Sequence, residues 1–235
     1  MIVKFKNKGN DLYIRASDLR KVSGVGQKTI EKIKEELDLK TDFDLPNKKY
    51  DVVYADPPWQ YGSKMQQDAD RDMKNLDEYY DQLSYLELAS MNVGEIANDD
   101  SWLFLWVTNS HMDEGVNLMK WWGFEYCTVG FNWIKTYENG SRCVNPSPNT
   151  LPSWELCLIG KRGSPPKDQN NVQGYVEAER TEHSKKPNEV RKRIESLVGN
   201  DNDMIELFAR EKVDRWDVWG NEVNKPEEGS GSDGD

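Results

Sequence analysis

One carboxylate, two prolines and an indole stand together at Asp56-Pro57-Pro58-Trp59, directly after the short β-branched and aromatic run D-V-V-Y-A at 51–55. The run reads as a buried strand. Neither proline can donate to a sheet ladder, and Pro58 pushes Pro57 out of the helical region, so the chain leaves the strand through a stiff turn. Asp56 and the carbonyl of Pro57 are then two acceptors held close together. They suit a group with two donors, and the exocyclic amine of adenine is one. Bonding both of its hydrogens aims the nitrogen lone pair outward, toward an electrophile. Trp59 offers an aromatic face for a base taken out of its stack. The same four residues also describe a capped strand end with a packing tryptophan, and D-P-P alone leaves the two readings even.

The elements that must position this corner alternate along the chain. After the strand at 51–55, residues 60–77 are polar and acidic without a hydrophobic period and read as a mobile loop over the site. Residues 83–88 lead into a helix ending near Gly94, and a second buried strand covers 101–107. A helix over 111–122 ends at Gly123, and a third strand covers 129–135. The Asn/Pro/Ser/Gly-rich segment 136–153 is a candidate substrate loop, followed by a fourth strand over 154–160. Residues 161–181 read as irregular, 187–198 as a helix, and 203–209 and 216–219 as strands. This order gives an α/β fold with a largely parallel sheet, whose strand ends are where ligands bind.

The 235 residues allow one α/β domain with a small appendage. The net charge of -11 hides an asymmetry: residues 1–40 carry ten Lys/Arg against six Asp/Glu, while Lys225 to Asp235 carries one against four. A basic head on an acidic body favours a separate nucleic-acid module. Two helix candidates there, 17–22 and 27–37, flank the turn Ser23-Gly24-Val25-Gly26. Gly24 and Gly26 permit close backbone approach and leave amides free for phosphate, and Lys21, Lys28, Lys32 and Lys34 surround them. The segment resembles a helix-hairpin-helix module; a helix-turn-helix and a plain packing hairpin are the alternatives. Domain limits are set at 1–40, 41–224 and an acidic tail, 225–235, whose composition is that of a disordered segment. No run is long enough to cross a membrane and no signal-peptide pattern opens the chain, so a cytoplasmic protein is expected. Cys127, Cys143 and Cys157 are too scattered for a zinc site or a disulfide framework and read as buried, reduced thiols. No metal site is expected, and the absence of G-x-G-x-x-G argues against a nicotinamide or flavin enzyme.

Segments further along the chain add weight to the corner. D-P-P-W after a hydrophobic strand, W-L-F-L-W-V-T at 102–108, W-I-K-T at 133–136, E-L-C-L-I-G at 155–160, H-S-K-K-P at 183–187, I-E-L-F-A-R at 205–210 and W-D-V-W-G-N-E at 216–222 occur in one order. Together they resemble the DPPW-type adenine methyltransferases, whose eukaryotic members methylate messenger RNA and whose compact bacterial and phage members are expected to modify DNA. The resemblance spans roughly 50–222. It implies a Rossmann-like, S-adenosylmethionine-dependent fold and a site-specific DNA adenine methyltransferase of phage or restriction–modification type in a bacterial or phage-infected cell. RNA adenosine is the alternative substrate, and a catalytically inactive nucleic-acid-binding scaffold is a second alternative. A homodimer or heterodimer is left open.

The resemblance also implies roles. Asp56 lies beside the methionine part of the cofactor and the target amine. Lys186, or its neighbour Lys185, meets the methionine carboxylate, Arg210 approaches the ribose, and Asn221 and Glu222 bond its hydroxyls. Asp42 or Asp44 serves the cofactor's adenine, with the register between them open. Tyr79 and Tyr80 are either core or part of a wall for the flipped base, alongside Trp59. Each has an ordinary counterpart: solvated lysines, an Arg210 paired with Glu206 or Glu211, Glu155 as a capping acid, His111 as a helix-start residue. His183 is given no proton-transfer role, since the amine attacks directly and loses its proton afterwards to Asp56 or water.

Overall fold

The computed structural model describes residues 2–7, 10–15, 43–59, 83–144, 149–181, 185–221 and 223. The two helix candidates of the N-terminal segment, its glycine turn and lysines, and the loop expected at 60–77 lie outside these residues. At the start of the chain, β1 (Ile2–Asn7) and β2 (Asn10–Arg15) pair antiparallel, from Ile2 with Arg15 to Asn7 with Asn10. The sequence pattern assigns these residues no element.

The core is a seven-stranded sheet in the order β7-β5-β6-β4-β3-β8-β9. Its members are β3 (Tyr50–Ala55), β4 (Ala97–Val107), β5 (Glu125–Thr136), β6 (Trp154–Arg162), β7 (Tyr175–Glu179), β8 (Met204–Leu207) and β9 (Trp216–Trp219). Every neighbouring pair is parallel except those that β6 makes with β4 and β5. This is the α/β, Rossmann-like, largely parallel sheet expected. Its single reversal has a consequence for the site, because β6 begins at the edge where the parallel strands end.

β3 shows why the sheet is covered on both sides. Its side chains alternate with period two. Val53 and Ala55 join Leu103, Leu105 and Leu118 in one hydrophobic cluster, while Val52 and Tyr54 join Phe104, Trp106 and Ile194 in the other. The first face is covered by α1 (Tyr85–Ser90) and α2 (Met112–Trp121), the second by α3 (Asn188–Val198). α1 begins with a capping box, in which Ser84 and Glu87 satisfy each other's backbone amides. α2 comes close to the sheet at Gly115, where a β-carbon would lie 2.3 Å from Val107 Cγ1. α3 buries Val190, Ile194 and Val198, spaced four apart on one face.

Several sequence-derived limits need correction. α1 stops at Ser90 and a separate 3-10 turn, Val93–Glu95, precedes Ile96. The stretch read as one helix from 111 divides into a 3-10 turn, Asn109–His111, and α2. Residues 161–181 are not wholly irregular: β7 adds an edge strand, although only Val176 of its five residues is fully buried, so its apolar signal is faint. β8 ends at Leu207 because Phe208 takes a positive φ of 62°, which no strand residue can hold. Cys143 and Cys157 are buried free thiols, but Cys127 is exposed. Among the described residues, no helix is long and apolar enough to cross a membrane.

Candidate active site

The chain after β3 turns sharply at the carboxyl edge of the sheet. The Trp59 amide donates to the Pro57 carbonyl at 2.9 Å, and the Leu83 amide to the Pro58 carbonyl at 3.1 Å. The prolines' carbonyls are therefore engaged, where the sequence suggests free ones, although each keeps a second lone pair. Trp59 is pinned. It is only 6% exposed, its indole N–H donates to the Trp106 carbonyl at 3.1 Å, and its ring stacks on His111 with centroids 5.3 Å apart and planes at 24°. His111 is in turn held by Thr108, whose Oγ1 lies 2.6 Å from Nδ1. His111 is thus a helix-start residue that also braces the corner.

Asp56 does not stand alone. Lys186 places its ammonium 2.6 Å from Asp56 Oδ2 and 3.4 Å from Glu155 Oε2. Glu155 also pairs with Lys135. Four charges alternate in sign along a buried line, Asp56–Lys186–Glu155–Lys135, and cancel. The topology produces this. Asp56 and Lys135 lie at the carboxyl ends of parallel β3 and β5, and Glu155 lies at the start of the reversed β6, at the same edge. Both ammonium groups also lie over indoles, Lys186 at 5.4 Å from the Trp106 centroid and Lys135 at 4.9 Å from that of Trp133.

Burial would push the Glu155 carboxyl up, but the Lys186 and Lys135 charges outweigh it and hold the group below its usual range. Burial would likewise lower the Lys186 ammonium; Asp56 and Glu155 outweigh this and raise it. Both groups are therefore ionised at neutral pH. Beneath them on β6, burial drives the Cys157 thiol far up, with the Asp56 charge adding to the effect, so it stays protonated.

The two adjacent lysines take different partners. Lys185 pairs with Glu211 at 2.7 Å and is about two-fifths exposed, whereas Lys186 stands at Asp56. An open cleft of about 520 Å3 runs between these lysines, Glu179 at the end of β7 and the first turn of α3. That is room for a ligand of nucleoside size. The first turn of α3 has Pro187 at its N-cap and no side-chain cap among the described residues, and its amides are oriented as an anion site requires.

Further along the edge, β8 and β9 finish side by side. The Ala209 amide donates to the Trp219 carbonyl at 3.0 Å, and a β-carbon on Gly220 would lie 2.3 Å from the Ala209 carbonyl oxygen. Arg210 and Asn221 therefore leave the sheet from touching segments. Arg210 is close enough that its charge opposes that of Lys186. The segment with Asp44 runs past the same end: the Trp219 indole donates to the Asp44 carbonyl at 2.8 Å, and Phe43 packs edge-on to Trp219 at 6.3 Å. Glu206 is bound to Arg191 of α3, not to Arg210, while Glu211 is taken by Lys185. Asp42, Glu222, Tyr79, Tyr80, His183 and Lys21, Gly24, Gly26, Lys28 and Lys32 lie outside the described residues.

Sequence reasoning passes over Lys135 and treats Glu155 as an ordinary capping acid. A signal is present. Lys135 shares strand parity with buried Phe131 and Trp133, and Glu155 with buried Cys157, so both charges occupy positions that face the core. Opposite charges at inward positions of neighbouring strands predict each other.

The arrangement, an acceptor corner beside a cleft lined by Lys185 and Lys186 at the carboxyl edge of a Rossmann-like sheet, agrees with sequence comparison. The MT-A70 family profile matches residues 50–222. The chain is 38% identical over 193 residues to the Type II methyltransferase M.MunI of Mycoplasma sp, covering 76% of this chain and 80% of that protein. It is 30% identical over 187 residues to the N(6)-adenosine-methyltransferase catalytic subunit METTL3 of Homo sapiens, covering 75% of this chain but 28% of METTL3. A putative N(6)-adenosine-methyltransferase MT-A70-like protein of Medicago truncatula is 28% identical over 164 residues, covering 69% of this chain and 24% of the relative. With the match beginning at the first residue of β3 and running through the end of β9, the chain belongs to the MT-A70 family and is an adenine-specific methyltransferase.

Proposed function

We propose that the enzyme methylates the exocyclic amine of adenine in DNA, with S-adenosylmethionine as donor. The observation that carries this reading is the divided Asp56 carboxylate. Lys186 holds Oδ2, while the side chain remains about one-fifth exposed, so among the described residues Oδ1 is left for an incoming donor. Oδ1 and the second lone pair of the Pro57 carbonyl accept the two amine hydrogens and turn the nitrogen lone pair outward. Asp56, or water beside it, takes the proton released once the nitrogen is methylated. Trp59, fixed by His111 and Trp106, keeps this corner rigid.

The residues present fit the cofactor. Lys186 and the first turn of α3 suit its methionine carboxylate, Arg210 and Asn221 its ribose hydroxyls together with Glu222, and the Asp42–Asp44 segment its adenine. Lys185 lines the same cleft but is tied to Glu211 and more exposed than Lys186. S-adenosylmethionine supplies an electrophilic methyl group on a sulfonium centre, so the protein's part is positioning and exclusion of water.

DNA is favoured over RNA by the relative matched along most of both chains, which carries a type II methyltransferase designation, and by the basic glycine-turn segment of residues 1–40. That segment is read as a backbone grip, 41–224 as the methyltransferase domain, and Tyr79 and Tyr80 as a wall for the flipped base. RNA is the second reading, supported by the adenosine-methyltransferase names of METTL3 and its kin. Transfer of labelled methyl groups to duplex DNA in competition with structured RNA separates the two. Label in RNA adenosine alone rejects the DNA reading.

A further inference from the structure

We propose that Lys135 is a positioning residue for methyl transfer: by neutralising Glu155 it keeps the Lys186 ammonium on Asp56. The inference rests on the reading of Asp56 as acceptor of the target amine. Its ground is the unequal grip on Lys186, which lies 2.6 Å from Asp56 but 3.4 Å from Glu155, although both carboxylates are largely buried. The difference is that Glu155 has a second cation of its own.

Lys135 is 5% exposed and points into the core over Trp133, so it serves neither solubility nor a solvent-facing contact. A buried lysine is costly unless paired, and Glu155 is its ion-pair partner. Among the described residues, the charged groups around Glu155 are Lys135 from β5 and Lys186 from the segment before α3. Lys186 is faced in turn by Asp56 after β3 and Arg210 after β8. The nearby Cys157 thiol is kept protonated by burial.

Without Lys135, two carboxylates compete for one ammonium. Burial then pushes the Glu155 carboxyl upward with half the opposing charge. While protonated, Glu155 makes no demand on Lys186, which stays on Asp56. Once ionised, it draws Lys186 away and frees Oδ2 of Asp56, so the carboxylate loses its orientation toward the amine. Loss of Lys135 should therefore produce a rate that falls as pH rises, a dependence the wild-type enzyme lacks because its Glu155 is already ionised.

The test measures single-turnover methyl transfer from labelled S-adenosylmethionine to duplex DNA, both saturating, from about pH 5.5 to about pH 9, with thermal unfolding in parallel. Lys135→Met should track wild type at the acidic end and fall relative to it by about tenfold or more toward the alkaline end, as one group ionises. Lys135→Arg should restore the wild-type profile. Adding Glu155→Gln to Lys135→Met should flatten it, to within about tenfold of wild type. A folded Lys135→Met enzyme whose profile parallels wild type overturns the inference. If Lys135→Met does not fold, the double variant decides, and a folded double variant slower by about a hundredfold or more overturns it. Asp56→Ala is assayed alongside. Transfer surviving that change removes the reading on which the inference rests, whereas an inactive Asp56→Ala with an unchanged Lys135→Met profile removes the inference alone.

Discussion

The Lys186 ammonium lies 2.6 Å from Asp56 Oδ2, although 130 residues separate the two in sequence. Asp56 closes β3 and Lys186 precedes α3, the helix on the opposite face of the sheet from α1 and α2. The contact thus ties the acceptor corner to the cleft in which the cofactor is proposed to sit. Lys186 bonds Asp56 and, in the proposed complex, also meets the methionine carboxylate of the cofactor.

Removing that charge should affect binding and folding together. Lys186→Met leaves Asp56 and Glu155 as neighbouring buried anions, and breaking a buried pair in this way typically costs about 3–5 kcal/mol. Cofactor affinity should fall by about 30-fold or more, the loss expected when one partner of a hydrogen-bonded charge pair is removed. Calorimetric titration with S-adenosylmethionine and thermal unfolding read the two effects. Unchanged affinity in a folded Lys186→Met protein would remove Lys186 from the cofactor site.

The same cluster fixes a pH window for stability. The Glu155 carboxyl is lowered from 4.5 in the folded protein, so its contribution is present above that value and is lost as pH falls through the folded value. The Lys186 ammonium is raised from 10.5, so its contribution is complete below that value and lost as pH rises through the folded one. Urea unfolding of wild type and Glu155→Gln should therefore differ by a constant amount across neutral pH and converge in acid. A difference that grows in acid would contradict the assignment.

Gly220 provides a test of the segments proposed to hold the ribose. A side chain there must displace the Ala209 carbonyl, which a β-carbon would approach to 2.3 Å, and so parts the ends of β8 and β9 that carry Arg210 and Asn221. Gly220→Val should weaken S-adenosylmethionine binding by about tenfold or more, as positioning errors of about 1 Å commonly do to reaction rates. Isothermal titration checks it, with far-ultraviolet circular dichroism to confirm the sheet.

What the sequence discloses divides along physical lines. The Asp56 corner is legible because its chemistry is local: one strand, two prolines and an indole in nine residues. β3, β4 and β9 are legible because buried strands concentrate β-branched and aromatic residues, and α3 because its apolar residues recur every four. β7 is not, since an edge strand buries too little to mark itself. The choice between Lys185 and Lys186 is equally closed to sequence, because adjacent lysines differ only in the direction the backbone points them. The Glu155–Lys135 pair needs two facts together, the parity of each strand and the reversal of β6, and the reversal depends on the whole sheet.

The most direct test of the proposed chemistry is transfer of a labelled methyl group from S-adenosylmethionine to duplex DNA, with nucleoside analysis of the product, for wild type and Asp56→Ala. The expected result is label in N6-methyladenine with the wild-type enzyme and a loss of about a thousandfold or more with Asp56→Ala, whose cofactor binding is measured separately. Label at any other base, or transfer by Asp56→Ala at the wild-type rate, would contradict it.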